Sequence, residues 1–279
     1  MNVPSSEVIV AYQGEAGAYS EEGALALFPE ADHRPLNSIR KVFEAVEVGR
    51  VDYGLVPMDN SQAGSINETY DLFLKHGLHL VGETVVRVDH CLLALPGTAI
   101  DDLTEVISHP QAVSQSEEFL NALDIKIRAE YDTAGSAKRI VEDKMTTTAA
   151  IASRRAAQLY GLEVLAERIQ TYPDNYTRFG VLSRDHEPLA EPSKSSLVFG
   201  VSHVAGSLYK CLGAFAERHL SLSKLESRPR AGRPWEYVFY VDVEVPAAAP
   251  AMIEALTEVS EHATFTRLLG TYASGFTAR

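Results

Sequence analysis

The sequence predicts an α/β protein in two parts, an open-sheet region over residues 1–183 and a compact βαββαβ unit over residues 195–279. Three observations predict it. Short apolar, β-branched runs alternate with amphipathic stretches as far as about residue 183, the pattern of helices covering a largely parallel sheet. A polar stretch from Ser183 to Lys194, with two prolines and several charges, then reads as a linker over 184–194. Beyond it the order becomes strand, helix, strand, strand, helix, strand, which is a ferredoxin-like unit.

The elements follow in chain order. Val8 to Tyr12 is a buried strand that breaks at Gly14 and Gly17 into a loop before a helix starting near Ser20. Tyr53 to Val56 is a second strand. A polar loop from Asp59 to Ser65 leads to a helix with Ile66, Tyr70, Phe73 and Leu74 on one face. Thr84 to Leu95 is strand-rich, Val106 and Ile107 continue the sheet, and Pro110 suits the first turn of a helix carrying Val113, Phe119, Leu120 and Leu123. Ile125 to Glu130 is a strand and Gly135 to Glu142 a helix; Thr148 to Ala152 and Val164 to Ile169 are strands flanking a helix from Arg154 to Tyr160. In the C-terminal unit the strands are Ser196–Val201, Leu222–Leu225, Tyr237–Val245 and Phe265–Leu269, with helices over Gly206–Arg218 and Met252–Glu261. A small sheet with helices on one face leaves its other face or an edge open, which suits pairing between copies.

Composition narrows the chemistry. A formal charge of -13 argues against nucleic acid as partner, because phosphate backbones are bound through Lys and Arg. An anionic ligand must therefore meet local cations or helix N-termini. Cys91 and Cys211 are far apart and outside any C-x-x-C, so the expectation is buried apolar thiols, with no disulfide framework and no metal site. Met1 to Glu7 lacks a basic start, and no apolar run approaches the ~20 residues a membrane span needs. The expected setting is cytoplasmic, away from membranes.

The pentapeptide Asn175-Tyr176-Thr177-Arg178-Phe179 carries the most chemistry. It sets a hydroxyl beside a fixed cation, which suits a substrate that carries carboxylates and must lose water. Thr177 is the candidate proton donor, against the alternative of a β-branched strand residue. Arg178 offers a bidentate partner for a carboxylate, or else an internal ion pair with Asp174 or Glu15. Asn175 either donates to a ligand or holds the Thr177 loop, and Phe179 packs the site. The loops Gly14–Ser20 and Asp59–Ser65 precede helices, so Ser20, Asn60 and Ser61 are candidate ligand donors as well as N-caps. Thr133 and Ser136 open another helix with the same two readings. His109 and Gln111 stand at a helix start, while His76 and His79 read as surface residues. In the C-terminal unit, Gly206, Ser207 and Leu208 begin a helix where glycine allows close backbone approach, and Glu226-Ser227-Arg228-Pro229 follows the second strand.

In this order the segments Tyr12–Ser20, Asp52–Ser61 with Gly64, Ser108–Gln111, Thr177–Phe179 and Glu226–Pro229 resemble the prephenate dehydratases of the monofunctional bacterial type, which carry a C-terminal ACT domain. The resemblance covers essentially the whole chain. It implies a periplasmic-binding-protein-like region with its active site between two lobes, here 1–80 with 160–183, and 81–159. It implies decarboxylating dehydration of prephenate with no cofactor, Thr177 and Arg178 being catalytic. Ser20, Asn60, Ser61, Thr133, Ser136, Asn175 and Phe179 would bind substrate. It also implies a homodimer or homotetramer inhibited by L-phenylalanine, held between Gly206–Leu208 of one subunit and Glu226–Pro229 of another. Asp59 departs from the family, which usually has Glu there. Arogenate as substrate, and a non-catalytic amino-acid sensor, are the competing readings.

Overall fold

A computed structural model describes residues 8–230, 233 and 235–275; Met1–Glu7, read above for a targeting signal, lie outside these. The strands are β1 (Ile9–Gln13), β2 (Asp32–Leu36), β3 (Tyr53–Asn60), β4 (Gly64–Ser65), β5 (His79–Arg87), β6 (Cys91–Ala94), β7 (Glu105–Ser108), β8 (Lys126–Ala129), β9 (Thr148–Ala152), β10 (Glu163–Glu167), β11 (Tyr176–Ser183), β12 (Lys194–Gly200), β13 (Leu222–Pro229), β14 (Tyr237–Val243) and β15 (Phe265–Tyr272). The helices are α1 (Tyr19–Leu27), α2 (Ile39–Glu47), α3 (Asn67–Phe73), α4 (Pro110–Gln115), α5 (Glu117–Asn121), α6 (Thr133–Glu142), α7 (Arg154–Tyr160), α8 (Ser207–Ala216) and α9 (Pro250–His262).

The chain divides into two compact units. One runs to Thr69 and resumes over Val85–Phe179; the other takes Tyr70–Thr84 and everything from Gly180. β5 and β11 each pass from one unit into the other.

The first unit is built on two sheets. One has the order β2-β1-β3-β11-β5, with β4 hairpinned onto the end of β3, so that Asp59 pairs with Ser65 and Asn60 with Gly64. β1 runs parallel to both β2 and β3, as expected of strands joined by helices. The second sheet has the order β10-β6-β9-β7-β8 and is mixed, because β6 runs antiparallel to β9 and β10. The expected lobe limits therefore shift at both ends. β5 lies in the first sheet, and β10 returns antiparallel along β6 into the second. A buried strand finds its partners by hydrogen bonding across the sheet, which hydropathy does not record.

β2 and α2 were not expected from the apolar pattern. β2, Asp-His-Arg-Pro-Leu, is a polar edge strand with no alternation to read. α2 has a clear stripe, with Ile39, Val42, Phe43 and Val46 all buried, each such side chain contributing roughly 1.5–3 kcal/mol. Ser38 caps it by accepting from the Lys41 N–H.

The loop between β1 and α1 is tied to the helices of the second sheet. Ser153 Oγ donates to Gly17 O at 2.6 Å, and Tyr160 Oη donates to Ala16 O at 2.8 Å. Arg155 Nε meets Glu21 Oε2 at 2.6 Å, and Lys138 Nζ meets Glu15 Oε2 at 3.0 Å. Gly17 has φ +90°, and a Cβ there would stand 2.8 Å from Ala156 Cα, so the close approach of α7 requires glycine.

The second unit contains the sheet β13-β14-β12-β15, antiparallel throughout, with α8 and α9 on one face, where Phe215, Met252 and Val259 of the helices pack with Leu197, Phe199 and Val241 of the sheet. This is the ferredoxin-like βαββαβ unit. Its other face is covered by the chain's own residues 70–84. Tyr70 lies 4.8 Å from the Tyr240 ring, and Arg267 donates to Phe73 O, His76 O and Leu78 O. Lys194, 4% exposed at its side chain, is buried between Glu83 and Asp242, at 3.3 and 3.6 Å. His76 and His79 are half-buried in this segment rather than on the surface.

Candidate active site

β1, β3 and β11 are neighbours in one sheet, so their carboxyl or amino ends and the loops beside them open on one cleft of about 410 Å³. Gln13, Tyr19, Ser20, Ser38, Asn60, Glu68, Val88, Thr177 and Phe179 line one side; His90, His109, Gln111, Gln115, Tyr131, Asp132 and Thr133 complete it. The N-termini of α1, α2 and α6 all reach this lining, and their N–H groups and dipoles favour a negatively charged occupant. Asp132 already serves α6, accepting from Gly135 N at 2.6 Å.

Thr177 is the second residue of β11 and faces the cleft half-buried. Its Oγ1 accepts from Asn60 Nδ2 at 3.1 Å. Asn60 is held from behind, its Oδ1 accepting the backbone N–H groups of Gln62 and Ala63 at 3.0 and 2.9 Å. It also donates to Asn175 Oδ1 at 2.8 Å. Gln115 closes the network: its Nε2 donates to Asn60 Oδ1 at 3.3 Å, and its Oε1 accepts from Asn175 Nδ2 at 3.1 Å. His90 Nε2 lies 2.9 Å from that same Oε1, and Tyr19 Oη lies 3.1 Å from His90 Nδ1. The result is a hydrogen-bonded polar cluster, which fixes side-chain orientation in a low-dielectric setting.

Electrostatics follow burial. His90, 2% exposed, has its pKa lowered by desolvation, opposed by Gln115 and Asp89. His109 is lowered in the same way, opposed by Asp132. Burial raises the Asp132 carboxyl, opposed by the Gly135 N–H, and raises Tyr19 well above the phenol range, with Glu22 adding to it.

The expected site residues divide. Ser20, Asn60, Thr133, Thr177 and Phe179 line the cleft. Ser20 also donates to Gln13 O. Four others are turned elsewhere. Arg178 follows Thr177 on a strand, so its side chain leaves from the opposite face; its Nε and Nη2 meet Asp59 Oδ2 at 2.9 and 2.5 Å. The guanidinium is 6% exposed, and its partner is Asp59 rather than Asp174 or Glu15. Asn175, 0% exposed, supports Asn60 and Gln115 from within. Ser61 bonds Asp174 O and Tyr176 N across the loop, and Ser136 bonds Asp132 O inside α6.

Tyr19, Ser38, Glu68, His90, Gln115 and Tyr131 were not singled out from the sequence. Ser38 was legible as an N-cap before an apolar stripe. The other five carry no local signal, since partners such as Tyr19 and His90 are 71 residues apart.

In the second unit, Glu226–Pro229 lie within β13 and do not follow it, because the strand continues four residues beyond Leu225. Alternation turns Lys224, Glu226 and Arg228 toward residues 70–73 and leaves Ser227 and Pro229 exposed. Arg228 Nη2 meets Asp71 Oδ2 at 2.8 Å. Gly206, at φ +85°, is the N-cap of α8, followed by Ser207 and by Leu208, which packs on the core. Both cysteines are buried, with thiol pKa raised by desolvation. Among the described residues no group of His, Cys, Asp and Glu could hold a metal ion, and no helix is long and apolar enough to cross a membrane.

Comparison with known proteins gives the geometry a family. Arogenate dehydratase 5, chloroplastic, from Arabidopsis thaliana is 44% identical over 98% of this chain and 69% of its own length. Arogenate dehydratase/prephenate dehydratase 6, chloroplastic, of the same plant is also 44% identical, over 98% and 69%. Among solved structures, a prephenate dehydratase from Arthrobacter aurescens in complex with L-Phe superposes with a TM-score of 0.88 at 29% identity, covering 96% of this chain and 90% of that one. GqqA, described as a novel type of quorum quenching acylase, gives 0.86 at 34% identity, covering 95% and 98%. The family model for prephenate dehydratase matches residues 10–187, which contain both sheets and every residue of the cleft, and the chain accordingly belongs to the prephenate dehydratase family.

Proposed function

We propose that this enzyme converts prephenate to phenylpyruvate, with Thr177 giving a proton to the departing ring hydroxyl. The direction of the hydrogen bonds around Thr177 carries this reading. Its oxygen accepts from Asn60 Nδ2, so its own O–H is the donor offered to the cleft. As the C–O bond breaks, its electrons go to oxygen and the proton makes water. The pair from the C–CO2 bond becomes ring π density and CO2 leaves. A dianion becomes a monoanion, so each turnover consumes one proton, and Thr177 regains its own from solvent.

Carboxylates of the substrate are held by the starts of α1 and α2, with the Ser38 hydroxyl, which accepts from the Lys41 N–H, adding a donor. The role first given to Arg178 becomes a supporting one: paired with Asp59 beneath β11, it holds the strand that presents Thr177. No cofactor is required for this chemistry, because aromatisation supplies the driving force.

A second reading keeps the chemistry and takes arogenate, the compound named for the plant relatives. Its ammonium would meet Glu68 or Asp132, the two carboxylates in the lining. Asp59 is engaged with Arg178 and does not serve that purpose. Phenylpyruvate, read by its absorbance in alkali, tests turnover; no conversion of either compound would leave a non-catalytic sensor. The ratio of kcat/KM for the two compounds decides the substrate.

The βαββαβ unit is an ACT domain that binds phenylalanine at Gly206–Leu208 and Glu226–Pro229 of adjacent subunits in a cytoplasmic homodimer or homotetramer; the structure of the Arthrobacter relative is a complex with L-Phe.

A further inference from the structure

None of the described residues that line the cleft is a lysine or an arginine, while Glu68 and Asp132 are both there. The ligand assigned above is a dianion. Histidine is the side chain able to gain charge near neutral pH, and His90 and His109 are the two in the lining.

The network determines the state of His90. Asn60 cannot turn over, because its Oδ1 is held by two backbone N–H groups. Gln115 must therefore point Nε2 at Asn60 and Oε1 at His90, which requires a proton on His90 Nε2. Nδ1 is then the titrating atom. It faces Tyr19 Oη at 3.1 Å, but that hydroxyl also lies 2.8 Å from Asp89 O. One phenolic proton cannot serve two acceptors. With neutral His90, either Nδ1 or the Asp89 carbonyl lacks a donor; with a proton on Nδ1, the imidazolium donates to Tyr19 and Tyr19 donates to Asp89 O.

We propose that His90 takes up a proton when the dianion binds, so that the cleft acquires its cation only together with its ligand. The inference rests on the substrate reading above. Before the ligand binds, burial favours the neutral ring, opposed by Gln115 and by Asp89, whose carboxylate is shared with Arg87 at 3.2 Å and Arg168 at 3.7 Å. The other groups packed around it are Tyr19, itself close to Glu22, and the neutral amides of Gln115 and Gln170. The cleft lining also carries His109, Tyr131, Asp132 and Glu68. A dianion added to this setting favours the charged ring and supplies the compensation that burial withholds. His90 acts by charge and orientation. The amides between it and Thr177 are no proton wire.

The test is calorimetry of prephenate binding to the full chain carrying Thr177→Val, which stops turnover, in buffers of different ionisation enthalpy. Between the free-state and the bound-state pKa we expect about one proton taken up per ligand and about tenfold weaker binding per pH unit, both effects vanishing above the bound-state pKa. Adding His90→Gln, which keeps an N–H toward Gln115, should abolish the uptake and flatten that pH profile. In the chain without His90→Gln, the Nδ1 nitrogen resonance should move from its unprotonated to its protonated position on binding. Binding without uptake, or uptake that persists in His90→Gln, overturns the role of His90 and leaves the dehydratase reading intact. No binding of prephenate or arogenate overturns both.

Discussion

Replacing Arg178 by Met separates the two roles open to that residue. The guanidinium places Nε and Nη2 on Asp59 Oδ2 at 2.9 and 2.5 Å, and the side chains are 6% and 22% exposed. Removing the cation strands a carboxylate in a poorly solvated place, and breaking such a pair costs about 3–5 kcal/mol. For a cooperative unit of this size, roughly 2–4 °C of Tm accompany each kcal/mol, so a fall of about 6–20 °C is expected. Asp59→Asn combined with Arg178→Met removes both charges and should recover at least half of the loss. Thermal unfolding of the parent and the two variants, alongside kcat/KM for prephenate, measures both sides. A Tm within about 2 °C of the parent, with KM raised about 100-fold, would refute the reasoning and return Arg178 to the substrate.

Thr177→Ala should lower kcat by about 100-fold or more, the scale of a lost general acid, while Thr177→Ser retains much of the rate; phenylpyruvate formation reads both. Burial raises the Glu22 carboxyl from 4.5 to about 7, opposed by Arg155 and by a hydrogen bond from Ser153. The fold therefore prefers the protonated acid, and that stability is present below pH 4.5 and lost as the pH rises to about 7. Tm followed across this window should decline less steeply in Glu22→Gln than in the parent. Gly17→Ala brings a Cβ to 2.8 Å from Ala156 Cα at φ +90°. A loss of roughly 2–4 kcal/mol is expected from denaturant titration, and a change below about 0.5 kcal/mol would mean that α7 does not press on this loop.

Much of the architecture was legible because its cause is local. Thr148–Ala152 and Arg154–Tyr160 form a strand and a helix at the expected limits, since a wholly apolar run and a Ser153 cap before it need no distant partner. The same holds for the βαββαβ order. β2 was missed because an exposed edge strand with proline and charges has no period, and it forms by pairing with β1.

The site divides along the same line. Sequence by itself determined the fold class, the family's run of motifs and the placing of Thr177, Ser20 and Asn60 near strand ends and helix starts, where backbone polarity gathers. Only the tertiary structure decided that Arg178 belongs to Asp59, that Asn175 supports Asn60 from within, and that Gln115 and His90 complete the cleft. Strand alternation sends neighbours such as Thr177 and Arg178 to opposite faces, and the partners waiting there, Asn60 and Asp59, come from 117 and 119 residues away. A pairing over such distances is set by how the sheets stack, which is a property of the folded chain rather than of any segment of it.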